Sequence, residues 1–190
     1  MNRKTIQRLA ILGVIMVSLA LLAKFTVVGE YLSYKQLSHT LVESGSIGII
    51  IFLAAFVAGA LMNLPAFLFT VLAFLVYGIG WGYAIAFLGS FIAAFVHFQV
   101  VRSIGGQALS EIKIPLMQKV MAKFDQRPLT TVIILRLLFF ISPPVNYLLA
   151  LSNVRTRDFV LGTLVGNILP LGLHAGLLYF TREWVLRTIS

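Results

Sequence analysis

One stretch of the chain limits its fold more than any other feature: from Ser44 to Val101 there is no Asp, Glu, Lys or Arg. A soluble domain made from 190 residues has too little interior to bury so much apolar chain. The whole chain is 59% hydrophobic and only 11% charged, whereas a soluble domain is about 25% charged. The sequence therefore predicts an integral membrane protein and excludes a soluble enzyme, a secreted disulfide scaffold and a disordered chain.

The net charge of +9 is concentrated beside the apolar runs. Lys and Arg cluster near the N-terminus and again between residues 102 and 127, which is typical of cytoplasmic loops under the positive-inside rule. A basic patch interleaved with exposed aromatic residues is missing, so we expect no nucleic-acid partner. The chain has no cysteine, which excludes disulfides and thiolate metal sites. We expect a bacterial cytoplasmic (inner) membrane protein with its N-terminus in the cytoplasm.

The N-terminal 1–45 region is predicted to form a transmembrane helix followed by an outer loop. Its apolar run, Leu9 to Val28, is long enough to span a bilayer. A cleaved signal peptide is the alternative, but such a peptide has a shorter apolar region and a small-x-small cleavage site. The spacing of Ala20 and Ala23 does not provide that site, so an uncleaved helix is favoured.

The uncharged stretch is interrupted near its middle. Residues 47–61 would extend about 22 Å as a helix, which is less than the ~30 Å thickness of a hydrocarbon core. Asn63 and Pro65 follow, and proline interrupts a helix because it lacks an N–H donor. We predict a re-entrant hairpin over 47–76, since an interrupted segment at membrane depth must be buried in protein or face a water-filled cavity.

A full transmembrane helix is predicted over 77–101, and small residues recur along one of its faces. Its glycines Gly78, Gly82 and Gly89 belong to a stripe on which another backbone can approach closely. The basic 102–128 segment has apolar residues at every fourth position. It is interpreted as a cytoplasmic amphipathic helix on the membrane surface, with an ordinary solvated loop as the alternative.

The second half of the chain repeats this order. An apolar arm carrying Arg136 is followed by Pro143, Pro144 and Asn146, which predicts a second hairpin over 129–152. A spanning helix over 159–180 comes next, and a tail over 181–190 ends the chain. Gly162 and Gly166 give this helix its own predicted packing face. Two interrupted segments in corresponding positions are typical of an inverted repeat, so the predicted fold is an all-α polytopic membrane protein built from two hairpin-plus-helix units.

Two segments resemble a known family. The second-half segment LRLLFFISPPVNYLLALSNVRTRDFVLGTLVGNILP and the first-half segment from Leu64 to Gly106 resemble the DedA superfamily, whose domain is also named the VTT or SNARE-associated Golgi protein domain. The resemblance covers roughly residues 45–180. It implies two facing re-entrant hairpins and movement of lipids across a bilayer, as by phospholipid scramblases or undecaprenyl-phosphate translocases.

The chain departs from DedA proteins proper, which carry acidic residues around the first hairpin and a second arginine after the second tip. Here the first hairpin has no carboxylate, and Asn146 stands near the position of that arginine. The sequence is closer to the yeast-Golgi-type branch, which makes carboxylate-driven transport a poor expectation.

Arg136 is the main candidate for the functional site. An arginine within a membrane segment costs about 2.5–3.5 kcal/mol on insertion scales and is usually kept for a partner or a ligand. It either caps carbonyls released by the broken helix or binds the phosphate of a lipid headgroup through its planar fork. Asn63 and Asn146 would satisfy tip backbone or touch the headgroup, while Pro65, Pro143 and Pro144 would shape the two tips.

Other chemistry finds little support. His97 and His174 lie at different predicted depths, so a shared haem or metal is not expected; a proton relay through either stays open. We expect no enzymatic activity, no cofactor and no metal. The function indicated is lipid translocation, with membrane lipids as partners. A proton- or ion-coupled small-solute transporter and a membrane biogenesis or assembly factor are the alternatives. A homo-oligomer is also left open.

Overall fold

The computed structural model describes residues 34–105 and 126–189, and these ranges are helical without any strand. The helices are α1 (Tyr34–Glu43), α2 (Gly45–Leu61), α3 (Ala66–Gly105), α4 (Pro128–Phe139), α5 (Pro143–Leu151), α6 (Thr156–Gly166) and α7 (Ile168–Ile189). The all-α prediction is confirmed for these ranges. The predicted first transmembrane helix and most of the predicted amphipathic segment 102–128 lie outside the described residues.

Two helices have the length and composition needed to cross a bilayer. They are Ala66–Gly105, which the non-helical Gly78 divides into two parts, and, counted across the junction of α6 and α7, Thr156–Thr181. Large apolar side chains on these and neighbouring helices point outward, among them Trp81, Leu138 and Phe180, the last of which is 85% exposed. In water such a surface would drive association, whereas lipid tails solvate it.

The first interruption is a helix C-terminus closed by Asn63. Asn63 adopts the left-handed conformation with φ 62°, and the Leu64 N–H donates to the Gly59 carbonyl at 2.8 Å. Together with the bond from the Asn63 N–H to the Ala60 carbonyl, this is a Schellman ending. Asparagine tolerates the left-handed region better than most residues do, and Pro65 follows where the helix can no longer continue.

The predicted second arm of the first hairpin runs into the predicted spanning helix through one residue, Gly78. Its φ of 74° and ψ of 170° are non-helical within α3, and only glycine adopts this region at low cost. A Cβ at Gly82 would lie 2.6 Å from the Ala73 carbonyl oxygen and 2.8 Å from the Phe74 Cα. Because residues so far apart along a straight helix would not meet, α3 folds back on itself at Gly78.

Gly78 therefore does not have the helix-packing role that was predicted for the glycine stripe. No atom lies within 4 Å of the position of its Cβ, so it permits a backbone reversal instead of a close helix contact. Gly82 and Gly89 do lie at close contacts, Gly82 against the backbone of the first part of α3 and Gly89 against Phe56 of α2.

The second interruption comes earlier than the sequence predicts. Helix α4 ends at Phe139, and Phe140 has φ 51° and ψ −136°, a strained conformation for a large side chain. Pro143 and Pro144 occupy the first turn of α5, where proline is favoured because its missing N–H would be unpaired anyway. The predicted break at Pro143–Asn146 is therefore misplaced. The helix ends before Phe140, and the prolines begin the next helix.

The last predicted span also has a joint. Helix α6 begins at Thr156 and meets α7 at Asn167, whose backbone stays helical and hydrogen-bonded on both sides. The predicted helix over 159–180 is therefore one candidate span with a local irregularity. Pro170 follows within the first turn of α7, where it cannot donate a backbone hydrogen bond. The Asn167 side chain is buried at this joint.

Small residues bring the helices together. Helix α2 packs on α3, α4 packs on α6, and α3 also contacts α5 and α7. A Cβ at Gly162 would lie 2.6 Å from the Val132 Cβ, and one at Gly166 would lie 2.6 Å from the Arg136 Cβ. Gly166 therefore allows the arginine side chain to pass directly over α6.

Candidate functional site

Arg136 lies in the last turn of α4, four residues before the strained Phe140, and is 0% exposed. It is the largest fully buried side chain in the described part of the chain. Neither of the acidic side chains described there, Glu43 and Asp158, is buried or paired with it. A cationic group is therefore enclosed among neutral partners, which is costly at membrane depth unless hydrogen bonds or a ligand compensate.

Three hydrogen bonds hold the guanidinium. Its Nη2 donates to the Asn146 Oδ1 at 2.7 Å, its Nε to the Thr163 Oγ1 at 3.2 Å, and its Nη1 to the Phe140 carbonyl at 3.3 Å. The bond to Asn146 is short, whereas the other two are at the long end of the N–H···O range. A guanidinium has five N–H donors, so these contacts leave two donors for another acceptor.

Arg136 and its partners Asn146, Thr163 and Phe140 form a group that we call the Arg136 cluster. Aromatic rings connect this cluster to the first half of the chain. The Arg136 Cζ lies 5.2 Å from the centroid of the Phe159 ring, and Phe159 stacks on Phe98 at 3.9 Å between centroids. The Arg102 Cζ in turn lies 4.3 Å from the Phe98 centroid. A buried cation over an aromatic face is stabilised by the ring quadrupole, so the two arginines and two phenylalanines form one connected group.

Arg102 itself closes the C-terminus of α5. Its guanidinium donates to the carbonyls of Leu149, Ala150, Ser152 and Val154 at distances from 2.7 to 3.1 Å. The last carbonyls of a helix have no partner within the helix, and a cation there also opposes the helix dipole. Arg102 thus ties the second interrupted segment to the end of α3, a role that its position in a basic loop did not indicate.

The two interruptions meet through Asn63 and Tyr147. The Asn63 side chain lies close to the Tyr147 hydroxyl, and its Oδ1 is buried without a hydrogen-bond partner among the described residues. The Tyr147 ring also makes an edge-to-face contact with His97, with 4.7 Å between centroids. Tyr147 follows Asn146 in α5, so the residue that approaches the first interruption is the chain neighbour of the residue that bonds Arg136.

A cavity of about 550 Å³ lies beside the cluster. It is lined by both interruptions and by α7, and its lining residues include Pro65, Phe67, Phe140, Pro143 and His174. The volume falls within the usual range of small-molecule sites, about 300–1,000 Å³. Phe140 connects the cavity to the buried arginine, because its ring contacts His174 while its carbonyl accepts from Arg136.

The predicted site residues are therefore distributed over two adjoining places. Arg136 and Asn146 are hydrogen-bonded to each other, Pro65 and Pro143 line the cavity, and Asn63 contacts Tyr147. Pro144 lies in the first turn of α5 and is not among the cavity residues. The sequence analysis did not identify Thr163, Tyr147 or Phe159 as site residues. The only sequence signal for Thr163 was its position one helical turn after Phe159, which begins the predicted helix over 159–180.

Comparison with known proteins identifies the domain. No curated protein and no solved structure gives a significant match. The family model named VTT domain matches residues 64–180, which is more than half of the chain; the match starts directly after Asn63 and includes the second interruption. It confirms the predicted family but does not distinguish its branches. This chain belongs to the VTT-domain (DedA/SNARE-associated Golgi) family of membrane proteins.

Proposed function

We propose that this protein moves phosphate-bearing lipids between the leaflets of a membrane without ATP. The observation that carries the proposal is the fully buried Arg136, which has only neutral hydrogen-bond partners among the described residues. A phosphate can accept from its fork in two parallel bonds and supply the missing negative charge. The lipid tails would remain in the bilayer while the headgroup passes through the protein.

The interrupted helices support a polar path for that headgroup. Helices α4 and α5, with 12 and 9 residues, are each too short to cross a bilayer, which takes about 20 helical residues. In the proposed arrangement, both interruptions belong to re-entrant hairpins that enter from opposite faces, as in inverted-repeat transporters. Their contact through Asn63 and Tyr147 would then lie near the middle of the membrane.

Exchange of hydrogen-bond partners provides the mechanism. The bonds from Arg136 to Thr163 and to the Phe140 carbonyl are long, at 3.2 and 3.3 Å. Bonds between a guanidinium and an anionic phosphate are short and are often bidentate. A headgroup that reaches the arginine therefore replaces long contacts to uncharged acceptors with bonds to a charged one, and the protein recovers the original contacts when the headgroup leaves. The cavity beside Phe140 is the proposed approach route from the lipid phase.

Reconstitution tests this function. The purified protein is placed in liposomes with a fluorescent phosphatidic acid or phosphatidylcholine, and lipid exchange between leaflets is measured without ATP. Arg136→Gln loses the charge and should abolish movement of the anionic lipid, while Arg136→Lys keeps the charge without the fork and should leave a reduced rate. Arg155→Gln, a change at an exposed arginine, is the matched control and should behave as the wild type.

The alternatives give different results in the same liposomes. Uptake of a small solute that depends on an ion gradient, without lipid exchange, would support a coupled transporter. If neither activity is observed, the result would favour a biogenesis factor. Full lipid movement by a well-folded Arg136→Gln protein would overturn the phosphate role and leave carbonyl capping as the function of this arginine.

A further inference from the structure

Phe140 lies between the cavity and the buried guanidinium. Its ring lines the cavity and makes an edge-to-face contact with His174, with 5.0 Å between the centroids. Its carbonyl accepts a hydrogen bond from the Arg136 Nη1 at 3.3 Å. Of the four residues in the Arg136 cluster, Phe140 alone lines the cavity. The cavity therefore ends at Phe140, and this residue separates it from the guanidinium.

The backbone of Phe140 is strained. Its φ of 51° and ψ of −136° lie in a region that glycine adopts readily and that is costly for a residue with a Cβ. Such strain persists only where the surroundings hold the residue in place. The Phe140 N–H donates to the Arg136 carbonyl at 2.8 Å, its carbonyl accepts from the guanidinium, and its ring contacts His174. The bond to the guanidinium is long, so one of the three contacts that hold the strained conformation is easily exchanged.

Release of Phe140 requires little else to move. Helix α4 ends at Phe139 and α5 begins at Pro143, so only residues 140–142 connect the two helices. A return of φ to negative values would relieve the strain and shift the ring without unwinding either helix. An acceptor that takes the Arg136 Nη1 removes one contact of the strained conformation, so an occupied guanidinium favours the released state.

We propose that Phe140 is a gate that closes the cavity off from the Arg136 guanidinium and opens when its backbone leaves the positive-φ conformation. The cavity lies on the lipid side of this gate, since its lining residues Leu138 and Leu173 are 70% and 65% exposed. The identity of the ligand that passes rests on the proposed function, whereas the closure is a property of the protein without lipid.

Single cysteines measure whether the gate is open, because the chain has none of its own. Thr163→Cys places a thiol in the Arg136 cluster at a position that is 0% exposed. Ser90→Cys is the matched control, because Ser90 is equally buried and lies on α3 outside both the cluster and the cavity lining. Each cysteine is combined with Phe140→Ala, which removes the ring, or with Phe140→Tyr, which keeps it. The rate of labelling by N-ethylmaleimide is then measured in detergent without added phospholipid.

Removal of the ring should expose the cluster selectively. We expect Phe140→Ala to raise the labelling rate of Thr163→Cys about tenfold or more, because a minor open state is typically only about 0.1–10% populated. Phe140→Tyr should leave this rate at its original value, and Ser90→Cys should react equally slowly in all three backgrounds. An unchanged rate at Thr163→Cys in the Phe140→Ala background would overturn the gate. Equal acceleration at Ser90→Cys would also overturn it, because the whole fold would then have loosened.

The strained backbone is tested without a cysteine. Phe140→Gly and Phe140→Ala both lack the ring, but only glycine adopts the positive φ at low cost. Phe140→Gly should therefore have the higher melting temperature, although glycine is usually less stabilising than alanine. An equal or higher melting temperature for Phe140→Ala would mean that residue 140 is not held at positive φ, and it would contradict the proposed opening. Faster labelling in Phe140→Ala, together with no lipid exchange by the wild type in liposomes, would refute the proposed function alone.

Discussion

Phe98 and Phe159 stack at 3.9 Å between centroids with an interplanar angle of 24°, and each ring also contacts a guanidinium. Arg102 lies over Phe98 and Arg136 over Phe159. The pair connects α3 of the first half to α6 of the second. The arginine that ties down α5 and the arginine of the candidate site are therefore positioned by the same two rings.

Replacing either phenylalanine with a residue that has no ring should weaken the contact between α3 and α6. Phe159→Leu removes the stacking partner of Phe98 and the face under Arg136, and we expect a loss of about 1–2 kcal/mol in unfolding free energy from the aromatic pair and the cation–π contact. Thermal unfolding in detergent measures the change. The control is Phe91→Leu, which removes a ring paired with Phe95 inside one helix at 6.3 Å; an equal loss in both variants would mean that the contact between the two halves contributes nothing special.

The four carbonyl contacts of Arg102 predict that this side chain is structural. Arg102→Met should leave the C-terminus of α5 without its cap and lower the melting temperature, with an expected loss of at least about 2 kcal/mol because several hydrogen bonds to a charged group are lost. Arg102→Lys should recover only part of it, since a lysine cannot reproduce the planar fork.

Arg157→Met, at an exposed position near the start of α6, is the control for removing a positive charge. Should Arg102→Met melt at the same temperature as Arg157→Met, the cap would be irrelevant to stability. Faster proteolysis near residues 149–154 in Arg102→Met would locate the loosening at the end of α5.

Two glycines on one helix face different surroundings. Gly82→Ala places a Cβ against the Ala73 carbonyl and the Phe74 Cα, which are backbone atoms that cannot move alone, and overpacking of this kind costs about 1–3 kcal/mol. Gly80→Ala meets no atom within 4 Å and should be neutral or stabilising by up to about 1 kcal/mol, because alanine favours helix. Comparable stability of the two variants in thermal unfolding would mean that α3 does not fold back closely at Gly78.

Single cysteines test the proposed topology, since the chain has none of its own. Cysteines at Lys35 and Asn63 should react with an impermeant reagent from the outer side, and the one at Asn63 should react more slowly because this tip is packed against Tyr147. A cysteine at Lys119 should react only from the inside, as the positive-inside rule requires for the basic segment. Outer labelling at Lys119 would refute the opposed-hairpin arrangement.

The places where the chain turns show how far local sequence reasoning reaches. Asn63 and Pro65 end one helix and begin the next through the conformations their own backbones prefer, so the first interruption was predicted from the sequence. The second was misplaced, because Phe140 has no local preference for its left-handed conformation. It is held by the Arg136 guanidinium on its carbonyl and His174 on its ring.

The sequence alone determined the membrane character, the helical class and the choice of Arg136, because these follow from the absence of charge over a long apolar run and from the cost of a lone arginine within one. The family was predicted from the sequence only through the resemblance of two segments. Only the tertiary structure decided what that arginine touches. Asn146, Thr163 and Phe159 come from other turns of the fold, and Arg102 finds its carbonyls on α5. Side-chain partners at such separations are selected by helix packing, which small residues such as Gly166 permit, and local pattern carries no record of it.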